Sequence, residues 1–314
     1  MTGEHWDLWR RDPRATPFQS PAWLDAWWTH LGGGERIDLV ARDDGGRLIG
    51  LLPAFLWING GVRGLVPVGA GHSDYSDALI DPTHGEAALA GLADALSVAR
   101  DRFDEVLLPD LRPDSPLLGA WDGWAAADEA GEVCPVLPLE PGVPLLAQLS
   151  KTRRRKVVHD RHRADALGGV SVALAGPDDI TEALDALFAL HAARWAAAGE
   201  SGVLADPKVQ AFHRAAAPAL AAAGLLRLIV VRHDARIVAA LLGFADGRRG
   251  YSYINGVDHG IPKQSFGTLA FERLIDGALA EGAAEFHFLR GEEPYKYGWG
   301  AQPTRTVRRT LHPV

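Results

Sequence analysis

Residues 229–245, IVVRHDARIVAALLGFA, and residues 39–56, LVARDDGGRLIGLLPAFL, share one outline. Each sets apolar runs on either side of a short polar group, which reads as strand, turn and strand. Arg42 and Asp44 in the first answer Arg232 and Asp234 in the second. Beyond each hairpin the pattern predicts a further strand (62–68; 250–257), a polar or glycine-containing loop, a helix (86–100; 266–281) and a closing strand (103–108; 285–289). In the later helix Phe271, Leu274, Ile275, Ala278 and Leu279 recur at three- and four-residue intervals, one apolar face of a helix. A helix also precedes each hairpin: a Trp-rich one at 21–30 and a longer one at 180–198, with an extra helix at 207–222 in the second copy. Two copies of one α/β (α+β) unit follow, each a mixed twisted sheet flanked by helices.

The segment between the copies is irregular over 113–134 and proline-rich and extended over 135–144. Helical spacing resumes over 145–167. The expected organisation is a first unit at 1–144, a basic bridging helix at 145–168 and a second unit at 169–314.

Composition narrows the class. The 314 residues are 47% hydrophobic and 23% charged, a globular balance. No apolar stretch reaches the roughly 20 residues of a membrane span and nothing near Met1 reads as a secretory signal, so a cytoplasmic protein is expected. One cysteine, Cys134, can form neither an internal disulfide nor a thiolate zinc site. A net charge of −8 argues against DNA and membrane surfaces. That charge is uneven: residues 1–150 hold 10 arginines, no lysine and 23 acids, whereas 151–314 hold 22 bases and 17 acids. A polyanionic ligand therefore favours the second half.

Lys151, Arg153, Arg154, Arg155, Lys156, Arg161 and Arg163 make the densest basic run, which reads either as a grip on phosphates or RNA or as a solvated helix face. His159 and His162 lie within it, but surrounding cations oppose a divalent ion, and no metal is expected. No Walker loop, HExxH or GxSxG elbow is present, and Gly69-Ala-Gly71 lacks a dinucleotide fingerprint. The stretch 254-INGVDHGIPKQSFGT-268 runs from a strand end into a helix start, where free N–H groups and the dipole suit an anion. Ser265 could cap that helix and Gly267 would let a phosphate approach closely. After the last strand, Arg290-Gly-Glu-Glu-Pro-Tyr-Lys-Tyr-Gly-Trp299 concentrates ionisable groups suited to acid and base work, or forms a turn with solvated carboxylates. In the first copy His72-Ser-Asp-Tyr-Ser-Asp77 occupies the corresponding loop with acids that repel phosphate, either a pocket for a cationic or hydroxylated substrate or a capped turn.

Four stretches together, TPFQSPAWLDAWW (16–28), GHSDYSDALIDP (71–82), LSKTRRRKVVHDRHRADALGG (149–169) and FLRGEEPYKYGW (288–299), resemble the GNAT-superfamily acetyltransferases of the CelD-like, cellulose-biosynthesis-associated subgroup, related to FemAB-type transferases. The resemblance implies tandem GNAT-like units and acetyl-CoA or another acyl-CoA as co-substrate, its arm lying along a strand edge and its pyrophosphate at the next helix start. Here Tyr253, Asn255, Gly256 and Val257 would meet the arm, and Gln264, Ser265, Gly267 and Thr268 the phosphates. The expected reaction is N-acyl transfer to a small molecule or glycan precursor. Glu292 or Glu293 would serve as base, Tyr295 or Tyr297 as acid and Lys296 as stabiliser of negative charge, while Asp74, Tyr75, Asp77 and Arg290 would contact the acceptor. Two rivals stand beside it: transfer from aminoacyl-tRNA, as in FemAB-type relatives, supported by the basic run; and a non-catalytic accessory module in polysaccharide assembly, which fits Ser265-Phe266-Gly267 where the subgroup usually reads Ser-Pro-Gly. The acceptor, the acyl chain and the oligomeric state are not encoded legibly.

Overall fold

In the computed structural model, which describes residues 3–119, 121–197, 199–261 and 265–314, the chain begins with helices α1 (Gly3–Arg11) and α2 (Pro21–Leu31). Strands β1 (Leu39–Arg42), β2 (Leu48–Leu52), β3 (Ala54–Asn59), β4 (Val62–Pro67) and β5 (Leu79–Ile80) follow, then α3 (Gly85–Val98), β6 (Glu105–Leu111), β7 (Trp124–Val133) and β8 (Val136–Pro138). Next come α4 (Leu145–Gln148), α5 (Lys151–Leu167), β9 (Val170–Leu174), α6 (Ile180–Ala197), α7 (Pro207–Ala222), β10 (Leu226–His233), β11 (Arg236–Ala245) and β12 (Arg249–Val257). The chain closes with α8 (Phe266–Ala280), β13 (Glu285–His287), α9 (Pro294–Gly298) and β14 (Arg305–Pro313). Among the described residues no helix is long and apolar enough to cross a membrane.

Both expected hairpins form, and local chemistry closes each turn. Asp43 accepts the N–H groups of Gly45 and Arg47 through its carboxylate, with Gly46 at φ +80. In the second, Asp234 takes a left-handed φ of +53, which a short polar side chain tolerates. The hairpins then diverge at one residue. β11 is a continuous ten-residue strand, whereas its counterpart is cut by Pro53 into β2 and β3. Proline has no N–H for a ladder, so the two pieces enter different sheets. β2 sits in the three-stranded sheet β1-β2-β5, and β3 at the edge of the five-stranded sheet β3-β4-β6-β14-β7. The second unit keeps one six-stranded sheet, β8-β13-β12-β11-β10-β9. In both units the strand after the helix returns parallel, β6 to β4 and β13 to β12.

The core follows the helical spacing. Phe271, Leu274, Ile275, Ala278 and Leu279 of α8 are all buried against the second sheet. Ala88, Leu92 and Leu96 of α3, four residues apart, do the same in the first unit with Leu65, Val106 and Leu108.

The compact units are drawn differently from the expected partition at 144 and 168. One runs up to Val133 and adds Arg305–Val314; the other is Cys134–Thr304. β14, expected in the second unit, lies between β6 and β7, and β8, expected in the linker, pairs with β13. The helix expected over 145–167 is broken after Gln148, because Ser150 is extended and its side chain caps the N–H of Arg153. Rather than bridging, α5 packs on α8 inside the second unit. Long-range strand pairing and side-chain capping leave no periodic trace in sequence, which accounts for each difference.

β14 is fastened by a buried guanidinium. Arg309 donates to both carboxylate oxygens of Asp128 at 2.7 Å and to the carbonyls of Leu117 and Gly119. Arg309→Met should therefore lower the unfolding free energy by about 2 kcal/mol, since it leaves two carbonyls without their donor while half-exposed Asp128 regains water. A urea midpoint within error of the parent's would remove this anchor from the account.

Candidate functional site

β12 carries a bulge beside the cleft. Ser252 pairs with Gly243 and Ile254 with Leu242, so Tyr253 is an extra residue in the register of β12. Next to it, pairing with β13 stops after Arg249, Gly250 and Tyr251 have faced Glu285, Phe286 and His287, while on its other edge the Phe288 N–H still donates to Pro135 O in register with β8. The strands part from there on, and a cleft of about 450 Å³ opens beside the first turn of α8.

Six residues expected at the site line this cleft: Asn255, Val257, Ser265, Gly267, Thr268 and Tyr295. Gly267 has a clear use, because a Cβ there would come within 3.3 Å of Val257 Cγ2. Tyr253 does not join them. The bulge turns it away, and its ring lies 5.7 Å from those of His213 and Phe244. Gly256 is instead a contact with α6, where a Cβ would clash with Leu190 and backbone. Gln264 lies outside the described residues.

Arg153 and Lys156, which the sequence left open as a phosphate grip or a solvated face, complete the lining together with Arg194, His259, Phe271 and Trp299, which the sequence reading did not place at the site. Arg153, Val157, Asp160 and Ala164 form the buried face of α5, a spacing visible in sequence but masked by its charge. The Arg153 guanidinium lies 3.5 Å from the Trp299 ring, and burial pushes its pKa down to about 10, countered by Asp160 and Glu272. It stays cationic at neutral pH. Lys156 pairs with Asp160 at 2.9 Å and reaches Ser265 Oγ at 3.4 Å, so its ammonium sits at the start of α8. Ser265 does not cap that helix through its side chain. The first turn of α8 and two cations thus face one cleft, an arrangement that attracts a multiply charged anion.

Tyr295 forms another part of the wall, its ring 5.1 Å from Phe271 and its phenol hydrogen-bonded to the Asn255 side chain. Burial, reinforced by Glu293, pushes the phenol pKa well above its ordinary value. It holds its proton throughout the neutral range.

Lys296 has a different place from the one expected. Only 2% exposed, its ammonium donates to the carbonyls of Leu289, Arg290 and Gly291 at 3.0, 2.6 and 3.0 Å and pairs with Glu293 at 2.9 Å. Three N–H donors are thereby committed. The expectation that Lys296 meets charge developing on a substrate is corrected accordingly: it fastens the loop leading to Tyr295. That loop carries Leu289 at φ +57 and Gly291 at φ +108, conformations that cost about 1–2 kcal/mol for a leucine and little for glycine. Arg290 belongs to the same fastened turn. Glu293 is occupied by Lys296, whereas Glu292 is exposed and receives only a long 3.4 Å bond from Tyr297.

In the first unit, Asp74, Tyr75 and Asp77 do not line an open pocket, contrary to expectation. The cavity beside Tyr75 and Asp77 measures about 10 Å³, room for one water. Tyr75 is buried with the Arg112 guanidinium 5.9 Å over its ring, and Asp74 is buried too. Asp77 accepts the Ser115 hydroxyl and the Ala78 N–H. Gln19 holds the Tyr75 carbonyl and Trp23 the Ser73 hydroxyl, so residues 16–28 and 71–77 lock together. Among the described residues no group of three or more His, Cys, Asp or Glu could hold a metal ion.

Comparison with known proteins gives the fold a context. Residues 151–297 match the family described as acetyltransferase (GNAT) domain, Acetyltransf_6. No curated protein matches the chain in sequence. Among solved structures, FemX aligns over 100% of this chain and 96% of its own at 12% identity, with a TM-score of 0.68. A conserved protein of unknown function from Bacteroides thetaiotaomicron VPI-5482 aligns over 99% and 98% at 14% identity and TM-score 0.63. The C-terminal domain of a putative lysylphosphatidylglycerol synthetase from Agrobacterium fabrum aligns over 98% and 90% at 11% identity and TM-score 0.59. Residues 151–297 are thus similar to a GNAT acetyltransferase domain, and the chain shares its fold with FemX and the other two structures.

Two substitutions separate architecture from chemistry. Lys296→Met leaves three carbonyls and Glu293 without their cation and should lower stability by about 3 kcal/mol or more, read as a drop in urea midpoint. Asp77 is the converse, since burial pushes its pKa up to about 6. Its protonated form is favoured in the folded chain, so stability is greatest below the unfolded value near 4 and is lost as pH rises through 6. Asp77→Asn should recover up to about 3 kcal/mol at pH 8 and little at pH 4. Urea titrations at both pH values test this, and an equal gain at each would contradict it.

Proposed function

We propose that the chain is an acyl-CoA-dependent N-acyltransferase of the CelD-like kind, with the donor held in the cleft of the second unit. The parting of β12 and β13 beside the start of α8 carries this reading. Past the end of that pairing, the edge of β12 at Ile254 to Val257 is suited to a donor arm's amides. The Gly267 N–H at the start of α8, with Lys156 and Arg153 alongside, would hold its phosphates. When bound, the donor supplies a thioester carbonyl.

The residues around the cleft divide the remaining work. An acceptor amine with a pKa near 10 must first lose a proton. Exposed Glu292 is freer to take it than Glu293, which the Lys296 ammonium holds. Tyr295, kept protonated by burial and oriented by Asn255, serves as the acid that returns a proton to the leaving sulfur. Lys296 is a positioning residue, fixing the turn from which α9 presents Tyr295. The acceptor is an amine on a small molecule or glycan precursor.

A second reading, an aminoacyl-tRNA donor, draws on Lys151, Arg154 and Arg155, which are exposed on α5 next to the cleft's Arg153 and Lys156. The two donors differ in charge and extent, and salt separates them.

Calorimetry with CoA should give one site per chain, lost in Gly267→Asp. Arg154→Glu with Arg155→Glu should leave that affinity within a few-fold; unchanged CoA binding with loss of a steeply salt-dependent tRNA affinity would transfer the assignment to the second reading. Tyr295→Phe should lower kcat about 10²-fold with donor affinity nearly unchanged. Failure of the parent protein to bind CoA would overturn the proposal.

A further inference from the structure

The first unit leaves one face of its main sheet without a cover. Leu65, Val106, Leu108 and Leu311 on one face are buried in the core with α3. The other face should be covered by α2, the counterpart of α6. An eleven-residue helix is about 16 Å long, whereas the eighteen residues of α6 span about 27 Å and reach across both β11 and β12. α2 reaches β3 through Trp27 and Trp28, whose rings lie 5.5 and 5.8 Å from Phe55. Beyond them Trp57, Ile58 and Val62 stay exposed. An apolar trough of about 850 Å³ remains over β3, β4 and β6, walled by Trp27, Phe55, Trp57, Ile58, Val66 and Leu107. Trp57 is 46% and Ile58 68% exposed, a costly display for an isolated surface.

The trough has one charged lining residue, Arg308 on β14. Among the described residues Arg308 is also the sole arginine of the first unit with neither an ion pair, a hydrogen bond nor a ring contact. Glu129 stands opposite on β7 but forms no ion pair with it. The Trp27 indole N–H is already given to His72 Nδ1, so it asks nothing of a ligand. We propose that this trough is a binding site for the hydrocarbon chain of a single-chain anionic amphiphile, with Arg308 receiving its head group. Its volume lies in the range of sites that enclose most of a small ligand, and its lining is apolar with one orienting charge. The site is separate from the cleft of the second unit and stands or falls without it.

Calorimetry on the full chain with dodecanoate and dodecyl phosphate below their micellar concentrations, and dodecan-1-ol below its solubility limit, tests the proposal. One anionic amphiphile should bind per chain, with the alcohol at least tenfold weaker. Preference for carboxylate or for phosphate, with either anion well ahead of the alcohol, supports the site and identifies its head group. Arg308→Gln should bring the anion down to the affinity of the alcohol. Trp57→Gln should weaken all three at least tenfold, with an unchanged circular-dichroism melt and unchanged CoA binding. Absence of binding by all three, or affinities indifferent to both substitutions, would overturn the proposal. So would self-association, seen by sedimentation and abolished by Trp57→Gln, in a chain that binds no amphiphile.

Discussion

A single ammonium group sets the terms for the second unit. Lys296 Nζ lies out of water among the carbonyls of Leu289, Arg290 and Gly291, and no smaller or uncharged group could satisfy all three. The chain beyond β13 can therefore take a left-handed turn at Leu289 rather than continue beside β12. That departure separates the two parallel strands. Phe288 stays paired to Pro135, Tyr295 is brought against Phe271, and Trp299 is set under Arg153. A charge that reads in sequence as reactive is, in the fold, what holds its neighbours in place.

The two units make opposite use of the same plan. An unbroken β11 gives the second one continuous sheet, in which space is made by parting two parallel strands at a bulge. Pro53 splits the first sheet, and there space is left on a face by a helix too short to cover it. Both are local consequences of a few residues: an extra one at Tyr253, a missing N–H at 53, and fewer helical turns in α2. The acidic loop of the first unit is given over to packing, with Gln19 and Trp23 tied to Tyr75 and Ser73.

What could be read from the sequence was what local chemistry determines. Alternating apolar runs around Asp43 and Asp234 specified the hairpins, and the three- and four-residue spacing of Phe271 to Leu279 specified the buried face of α8. The strand–loop–helix passage from Asn255 to Thr268 pointed to lining residues because strand and helix ends expose backbone groups wherever they occur. Long-range matters stayed hidden. Nothing near Arg309 announces Asp128 as its partner, and Arg153 reads as solvated because Trp299, its ring partner, is far away in sequence. Tyr253 was misassigned because alternation along a strand fails at a bulge.

The second unit is an insertion. β7 and β14 of the first unit are antiparallel neighbours, with Val133 opposite Arg305, and everything from Cys134 to Thr304 is looped out between them. The two ends of that loop are tied at its neck, Cys134 N–H to Thr304 O at 2.7 Å and Val136 N–H to Gln302 O at 2.9 Å. A module whose ends already touch adds little loop-closure entropy to its host, since the host pays only for joining two adjacent strands. It also reverses the order of completion during synthesis: the strand that fills the first sheet emerges from the ribosome after the whole of the second unit, so the part of the chain made first is finished last.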